Sequence, residues 1–466
     1  MGSDLEKKPD TGRLSWSGKW AFILAAAGSA VGLGNLWRFP YLAAKYGGGT
    51  FIVTYIILAF TFGVSMLLLE TALGRRTGLS VIGAFSHYGK KYKFIGVLAA
   101  IVPFIITPYY CIIGGWVTKY AASYLAESAS TLADGGTFFS NFITSEVGSF
   151  VFMLIFMLAT CIIVATGAKG GIEKANFVMM PALIIMAIAI VVYMSMQPGA
   201  LEGIKYYFVP DFSKASPELF ISALGQLFFS LSLAMGIMVT YGSYLEKKES
   251  LTHAVTRIAG FDTLVAILAG FIIVPAAFVV LGGADAVMAG SGPSLMFITL
   301  PEIFAKMGAA AKVIGFVFFL LVLFAALTSS ISLLETLVSI VQDGLKWSRK
   351  RSIIVTSIYL IVVGCFINSG YNVLSFIQPL GEGSSLLDLF DFVSNSVLMP
   401  IVALLTCIFV GWIIKPKEII AEVRESAKFG NGIATVWSVI IKIIAPILVI
   451  AILVAYVLAQ FGLFSM

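Results

Sequence analysis

Polar side chains occur inside long apolar stretches of this sequence, where an unsatisfied polar group is costly. Asp262 lies within IAGFDTLVAILAGFII, and the stretch FAALTSSISLL contains Thr328, Ser329, Ser330 and Ser332. Carboxylate and hydroxyl oxygens suit a hard cation such as Na⁺, by the logic that holds for Ca²⁺ and Mg²⁺. The alternatives are an ion pair for the carboxylate, and packing or backbone hydrogen bonds for the hydroxyls. These residue types therefore indicate a cation site in apolar surroundings.

The apolar stretches belong to a chain with the composition of a membrane protein. Its 466 residues are 59% hydrophobic and only 12% charged, whereas ordinary soluble domains carry about 25% charged residues. So few charges exclude a series of soluble domains and a disordered chain, and no basic stripe with interleaved aromatic residues supports a nucleic-acid binder. All four cysteines fall within apolar stretches, which predicts packing residues rather than a disulfide or metal framework.

Eleven stretches are long and apolar enough to cross a bilayer, which requires about 20 mostly apolar residues. Their predicted limits are 19–43, 51–73, 95–124, 148–167, 174–197, 217–244, 255–283, 312–342, 352–369, 389–413 and 434–460. The sequence therefore predicts an all-α integral membrane protein of the cell membrane, surrounded by lipid, with eleven transmembrane helices.

The basic residues predict how these helices are oriented. Most of the 30 Lys and Arg residues fall in the N-terminal segment 1–18 and in alternate loops, whereas the loop 125–148 has none. Because Lys and Arg are enriched in cytoplasmic loops, segment 1–18 is predicted to be cytoplasmic. An odd number of spans then places the C-terminus outside the cell.

Two of the eleven stretches contain residues that disfavour a continuous helix. The first, AFILAAAGSAVGLGNLWRFP, has three glycines followed by Asn35 and Arg38, and the sixth, ISALGQLFFSLSLAMGIMV, has Ser230, Ser232 and Gly236 at midspan. Each glycine costs about 1 kcal/mol in a helix interior, and non-helical backbone in a bilayer must be buried by protein or line a cavity. Close packing of small residues is the alternative. Asn35 and Arg38 disfavour it, because an intramembrane arginine needs a partner or water.

The two interruptions occupy corresponding places five spans apart. An odd number of spans in each repeat makes the repeats antiparallel, and paired broken segments point to a transporter with its site at the membrane midplane. The predicted organisation is one inverted repeat over 19–197, a second over 217–413, and an additional helix over 434–460.

These motifs resemble those of the neurotransmitter:sodium symporter family, which includes the bacterial leucine transporter and the monoamine and GABA transporters. The resemblance rests on GSAVGLGNLWRFPYL, on GGG at 47–49, and on GQLFFSLS and ALTSS in that order. It implies a LeuT-type fold with a 5+5 inverted repeat and broken helices 1 and 6. Eleven spans instead of twelve leave association into a homodimer open.

The resemblance also implies two Na⁺ sites. The first would consist of the substrate carboxylate together with Ala30, Asn35, Ser230 and Asp262. The second would consist of Gly28, Val31, Ala325, Thr328 and Ser329.

Chloride is not expected as a cofactor. Relatives that require it bind it at positions matching Tyr55, Gln226, Ser230, Asp262 and Ala266 of this sequence. Many of those relatives have Asn where this chain has Asp262, and the fixed carboxylate here would replace the anion. Ala266 has no side chain that could bind an anion.

A substrate pocket follows from the same resemblance. Its residues would be Ser29, Ala30, Leu33, Gly34, Ile106, Tyr110, Phe229, Ser230, Ser232, Met235, Ser329 and Leu333. Tyr110 would bind the substrate carboxylate, and Gly32 stands where monoamine carriers have Asp, which favours an amino acid. The pocket contains no second charge, so a neutral hydrophobic amino acid is expected. Met235 adapts to aliphatic and aromatic substrates alike, while Ala234 favours aliphatic ones.

Two ion pairs and one buried carboxylate complete the set that the resemblance implies. Arg38 and Asp391 match an outer gate, and Arg13 and Asp343 match an inner gate. Glu70 matches a second-span glutamate that braces the broken helices. Exposed ion pairs contribute little to stability, which suits gates that open in every cycle.

The function expected from these residues is Na⁺-driven uptake of an amino acid by alternating access. The chain has no H-E-x-x-H, G-x-S-x-G or phosphate-binding-loop motif, so neither an intramembrane enzyme nor an ATP-driven pump is predicted. A channel with a polar lining and an amino-acid sensor that does not transport are the alternatives.

Overall fold

The computed structural model describes residues 15–127, 132, 134–289, 292–460 and 462–463. This part of the chain is helical and contains no β-strand. Its thirteen principal helices are α1 Lys19–Ala30, α2 Gly34–Lys45, α3 Gly49–Thr77, α4 Lys90–Ala126, α5 Gly148–Ala165, α6 Ala168–Ser195, α7 Pro217–Ser230, α8 Ile237–Gly242, α9 Leu251–Leu281, α10 Gly308–Leu345, α11 Arg349–Tyr371, α12 Leu386–Ile413 and α13 Asn431–Gln460.

Nine of these helices, α3 to α6 and α9 to α13, are individually long and apolar enough to cross a membrane. The pair α1 and α2 makes a tenth span if it is counted as one. These counts cover the described residues, and the total of eleven spans stays a prediction. Shorter helices connect the long ones: Val81–Ser86, Gly135–Ile143, Ala200–Phe208, Asp285–Ala289, Leu295–Ala305 and Pro416–Arg424.

The first predicted stretch is divided into α1 and α2, whose axes differ by 54°. Helix α1 ends at Ala30, and the next residue, Val31, has an extended backbone with ψ of 103°. Helix α2 begins at Gly34, so residues 31–33 separate the two helices. The separation leaves backbone carbonyls at the end of α1 without helical partners.

The sixth predicted stretch, 217–244, is also divided. Helix α7 starts with a proline after Ser216, whose hydroxyl accepts the N–H of Leu219 at 3.1 Å. Residues 231–236 leave the helix and return as α8, with positive φ at Ser232 (53°), Ala234 (60°) and Gly236 (74°). Left-handed backbone at a serine and an alanine costs energy and is typical of functional sites. Neither half is long enough to span a membrane alone.

The loops predicted to be cytoplasmic lie together at one end of the helix bundle. This basic end comprises loops 78–80, 246–250 and 346–348 and the segment 414–430, which includes the helix Pro416–Arg424. It contains a buried ion pair between Arg75 and Glu422 at 2.7 Å. Lys247 bonds Glu425 at 2.8 Å, which raises the pKa of Lys247 and lowers that of Glu425. Both groups therefore stay charged at neutral pH and tie the loop after α8 to the helix Pro416–Arg424.

Candidate functional site

The interruptions of the first and sixth stretches face each other in the middle of the bundle. Ser232 donates its hydroxyl to the carbonyl of Ser29 at 3.0 Å, and the two hydroxyls are 3.3 Å apart. The side chain of Ser329 on α10 lies between the carbonyls of Ser29 and Val31, at 3.1 Å from each. Three elements that are distant in sequence therefore present hydroxyls and free carbonyls to one region.

A small cavity of about 30 Å³ lies beside this contact. Its lining includes all the residues that the sequence predicts for the substrate: Ser29, Ala30, Leu33, Gly34, Ile106, Tyr110, Phe229, Ser230, Ser232, Met235, Ser329 and Leu333. Gly32, Asn35 and Ile237 line it as well. No Asp, Glu, Lys or Arg is among these residues. Their role as substrate contacts stays a prediction.

The hydroxyl of Tyr110 is a hydrogen-bond donor that faces this cavity. It is buried and makes no well-formed hydrogen bond among the described residues, although the Ser329 side chain and the backbone of Leu33 lie near it. A Cβ on Gly32 would lie 3.2 Å from this oxygen and 2.9 Å from the Ser329 hydroxyl. The cavity wall at Gly32 is therefore bare backbone, and the Tyr110 hydroxyl beside it can donate a hydrogen bond to a polar group of a ligand.

Asp262 on α9 is completely buried and accepts three hydrogen bonds. The donors are the Asn35 amide at 2.7 Å, the Ser230 hydroxyl at 2.6 Å and the Tyr55 hydroxyl at 2.9 Å. The amide oxygen of Asn35 accepts the N–H of Gly32 at 2.9 Å. Three of the four residues predicted for the first Na⁺ site are thus in direct contact. Their carboxylate, amide and hydroxyl oxygens fit a hard cation.

Gln226 and Ala266 are the two remaining residues at the positions where relatives bind chloride, and both lie near Asp262. Gln226 donates its amide to the carbonyl of Gly34 at 3.0 Å, and its amide oxygen has no partner among the described residues. Ala266 is fully buried. Ala30, the fourth residue predicted for the first Na⁺ site, lines the cavity.

The residues predicted for the second Na⁺ site also meet. Ser329 Oγ lies 3.3 Å from the carbonyl oxygen of Gly28, and Thr328 Oγ1 lies 3.0 Å from that of Ala325. With the Val31 carbonyl, described above, these oxygens form a donor set that fits Na⁺. The site is closely packed, because a Cβ on Gly28 would lie 2.2 Å from the amide oxygen of Asn176.

Glu70 connects α3 to the interruption between α7 and α8. Its carboxylate is buried and accepts the backbone N–H of Ala234 at 2.7 Å, while its second oxygen has no partner within the described part of the chain. An N–H in left-handed backbone has no helical acceptor, so this side chain replaces one. Glu70 therefore holds the interruption in its observed shape.

If the chain takes up an amino acid, as the sequence predicts, replacing Glu70 with alanine is expected to reduce that uptake about tenfold, whereas glutamine is expected to keep it within about twofold. Alanine leaves the buried N–H of Ala234 unsatisfied, which costs about 1–3 kcal/mol, and glutamine retains an acceptor oxygen. Initial uptake rates in proteoliposomes, normalised to protein content, test this. Equal loss in both variants would mean that the charge of Glu70 matters rather than the hydrogen bond.

A larger cavity of about 340 Å³, named the vestibule here, lies toward the end opposite the basic end. Phe229 lines both the vestibule and the central cavity and thus stands between them. Arg38 and Asp391 both line the vestibule, yet no ion pair joins them within 4.0 Å in the described residues. Arg38 instead donates to the hydroxyl of Tyr456 at 2.9 Å, and Asp391 accepts from Asn395 at 2.5 Å.

The basic end is closed by residues that precede α1. Trp16 is buried, and its indole donates to the carbonyl of Tyr241 at 3.0 Å. Ser17 bonds the carboxylate of Glu173 through its N–H at 2.9 Å and its hydroxyl at 2.5 Å. Asp343 accepts the N–H of Ser80 at 2.7 Å. Arg13, the predicted partner of Asp343, lies outside the described residues.

Several polar residues of these regions were not predicted from the sequence. Tyr109, Asn395 and Tyr456 surround the two charges of the outer gate, and Asn176 contacts the predicted second cation site. A lone amide or tyrosine in an apolar stretch is the only sequence signal that each one offers. Their partners are far away in the chain, so the pairing itself has no sequence signature.

Two interrupted helices surround a buried polar centre in this structure. A vestibule leads toward that centre from one end of the bundle, while Trp16 and Ser17 close the basic end. This arrangement is typical of a secondary transporter. The sequence profile of the Sodium:neurotransmitter symporter family matches residues 13–133 and 140–463, and the chain belongs to that family. It is therefore a multi-pass membrane protein and a sodium-dependent symporter rather than an enzyme.

Relatives support this membership over nearly the whole chain. An uncharacterized sodium-dependent transporter from Haemophilus influenzae is 34% identical over 463 residues, which cover 95% of this chain and 98% of the relative. The uncharacterized sodium-dependent transporter YhdH from Bacillus subtilis is 34% identical, with 96% and 97% covered. Among solved structures, MhsT in complex with L-phenylalanine has a TM-score of 0.83 at 34% identity and covers 95% of this chain and 99% of MhsT.

Proposed function

We propose that this symporter carries a neutral, hydrophobic L-amino acid into the cell together with Na⁺. The observation that supports this most directly is the buried hydroxyl of Tyr110, which lies beside the bare backbone of Gly32 in a cavity lined by no charged side chain. A carboxylate would satisfy that hydroxyl, and a charged substrate side chain would find no counter-charge in the lining.

The rest of the cavity supports an apolar substrate side chain. Leu33, Ile106, Met235 and Leu333 contribute its apolar surface, and Phe229 covers it on the side of the vestibule. The similar protein MhsT was solved in complex with L-phenylalanine, so an aromatic amino acid is among the candidates that we would test first. Methionine adapts its shape, which admits aliphatic substrates as well.

Two Na⁺ ions would be carried along with the amino acid. The substrate carboxylate would complete the first site beside Asn35, Ser230 and Asp262, so that each ligand raises the affinity for the other. The second ion would be held by carbonyls at the end of α1 together with Thr328 and Ser329. Negative carbonyl ends of helices suit cations in this way.

Transport is proposed to be independent of chloride, with Asp262 as the internal negative charge. The carboxylate already accepts hydrogen bonds from Tyr55, Asn35 and Ser230, the kind of donors that would surround a bound anion. Uptake by the purified protein should be the same in chloride and in gluconate. A collapse of uptake in gluconate would refute this assignment.

The chain is proposed to lie with its N-terminus and basic end in the cytoplasm and its C-terminus outside, following the distribution of Lys and Arg. The vestibule would then face the extracellular side. Alternating access would consist of closing the vestibule over Phe229 and Tyr110 and releasing the contacts of Trp16 and Ser17 at the basic end.

A binding screen over the twenty amino acids tests the proposed substrate class. Thermal stabilisation of the purified protein would be measured for each amino acid in Na⁺ and, as the control, in K⁺. We expect stabilisation by neutral hydrophobic amino acids in Na⁺ only, because binding to the folded state raises the melting temperature. Stabilisation by charged amino acids, or equal stabilisation in K⁺, would contradict the proposal.

A further inference from the structure

The gate residue Arg38 has a partner on the last helix. Its guanidinium donates to the Tyr456 hydroxyl at 2.9 Å and lies 5.6 Å from the centre of the Tyr456 ring. Asp391, the predicted gate partner, accepts hydrogen bonds at Oδ1 from the Asn395 amide and, at 3.1 Å, from the Tyr109 hydroxyl. An arginine at membrane depth needs a partner, and Tyr456 offers it both an acceptor oxygen and an aromatic face.

The position of the Tyr456 hydroxyl depends on a glycine in α7. A Cβ on Gly225 would lie 2.3 Å from that oxygen, so any side chain there would displace it. Helix α7 also carries Phe229, which separates the vestibule from the central cavity. Tyr456 on α13 therefore contacts both elements that border the outer entrance, the one with Arg38 and the one with Phe229.

We infer that Tyr456 is a positioning residue for the outer gate, which holds Arg38 away from Asp391 while the vestibule is open. Closing the gate then requires Arg38 to exchange the tyrosine for the carboxylate. The fraction of molecules with an open vestibule therefore depends on the difference in free energy between the Arg38–Tyr456 and the Arg38–Asp391 interactions. This inference rests on the proposed role of Arg38 and Asp391 as the outer gate.

The test measures how often the vestibule is open. Ser396 lines the vestibule, and a cysteine at this position, in a background with Cys161→Ala and Cys365→Ala, reacts with a membrane-impermeant thiol reagent. The labelling rate is measured in Na⁺ without amino acid. Tyr456→Phe keeps the ring and removes the acceptor. It is expected to slow labelling about tenfold, since a hydrogen bond to a charged group is typically worth at least that factor.

Matched variants separate this role from packing. Tyr46→Phe removes another tyrosine hydroxyl that contacts α7, the acceptor of Ser222 at 3.1 Å, and should leave the labelling rate unchanged. Gly225→Ala, which displaces the Tyr456 hydroxyl, should slow labelling as Tyr456→Phe does. In an Arg38→Ala background, Tyr456→Phe should have no further effect.

The outcomes distinguish this inference from the proposed gate. Asp391→Asn should raise the labelling rate, and if it does not, the gate assignment in the proposed function fails. If Asp391→Asn raises labelling while Tyr456→Phe leaves it unchanged, the role of Tyr456 is refuted. An effect of Tyr456→Phe that persists without Arg38 would assign the tyrosine to helix packing and would also overturn the inference.

Discussion

Replacing Asn35 with alanine is expected to reduce amino-acid uptake to near background at the Na⁺ concentration that half-saturates the unmodified protein. The side chain donates to Asp262 at 2.7 Å and accepts the N–H of Gly32 at 2.9 Å, and its oxygen is a proposed ligand of the first ion. A hydrogen bond to a charged group is worth about 1.5–3 kcal/mol, so we expect a loss of about a hundredfold in apparent Na⁺ affinity. The measurement is the initial uptake rate as a function of Na⁺ concentration in proteoliposomes.

The control for Asn35 is an asparagine of similar burial far from the interrupted helices. Asn368 is buried at the end of α11 and accepts the hydroxyl of Ser149 at 2.7 Å. Asn368→Ala should lower thermal stability while leaving the Na⁺ dependence of uptake unchanged. If Asn35→Ala retained the Na⁺ dependence of the unmodified protein, the assignment of the first ion site would be wrong.

Replacing Asp262 with asparagine is expected to eliminate uptake in the absence of chloride. The substitution is nearly isosteric and removes the negative charge that the proposal places beside the first ion. Two unit charges about 4 Å apart attract each other by about 4 kcal/mol at the effective dielectric constant of partly buried sites. We therefore expect uptake in gluconate to fall at least about a hundredfold.

Glu70→Gln is the matched control for Asp262→Asn. It also converts a buried carboxylate to an amide, but at a position where an acceptor oxygen suffices. The control should keep uptake in gluconate within about twofold of the unmodified protein. Uptake by Asp262→Asn at the unmodified rate in gluconate would show that this carboxylate is not the required charge.

The interruptions of the helices could be located from the sequence because they arise from local chemistry. Glycines and hydroxyl residues inside an apolar stretch weaken the helix at that point, and the structure separates the helices at residues 31–33 and 231–236. The helix in the second half of the sixth stretch, α8, ends at Gly242, two residues before the predicted limit at 244. The residue types of Ser232 and Ala234 do not indicate their positive φ angles, because serine and alanine normally avoid that conformation.

The sequence predicts the ends of a helix poorly where the helix continues beyond its apolar, membrane-spanning part. Helix α4 covers Lys90–Ala126 against a predicted 95–124, and α10 covers Gly308–Leu345 against 312–342. Hydropathy detects the apolar core of a membrane helix, whereas a polar turn at its end remains helical in water or against neighbouring loops.

Contacts between distant polar residues could not be predicted from the sequence. The residues around the central cavity were named because their motifs resemble those of a known family. The partner of Arg38 is different: Tyr456 lies in the last helix, and only the packing of α13 against Gly225 brings it there. The same holds for Tyr109 and Asn395, which bond Asp391.

We propose that the inward Na⁺ gradient drives uptake of a neutral hydrophobic amino acid. The most direct test of this proposal is the uptake of labelled L-phenylalanine and L-leucine into proteoliposomes under an inward Na⁺ gradient, with K⁺ replacing Na⁺ as the control. We expect each labelled amino acid to accumulate above its external concentration in Na⁺, and this accumulation to be lost when an ionophore dissipates the gradient. Binding without accumulation, as in a sensor, or equilibration without Na⁺, as in a channel, would contradict it.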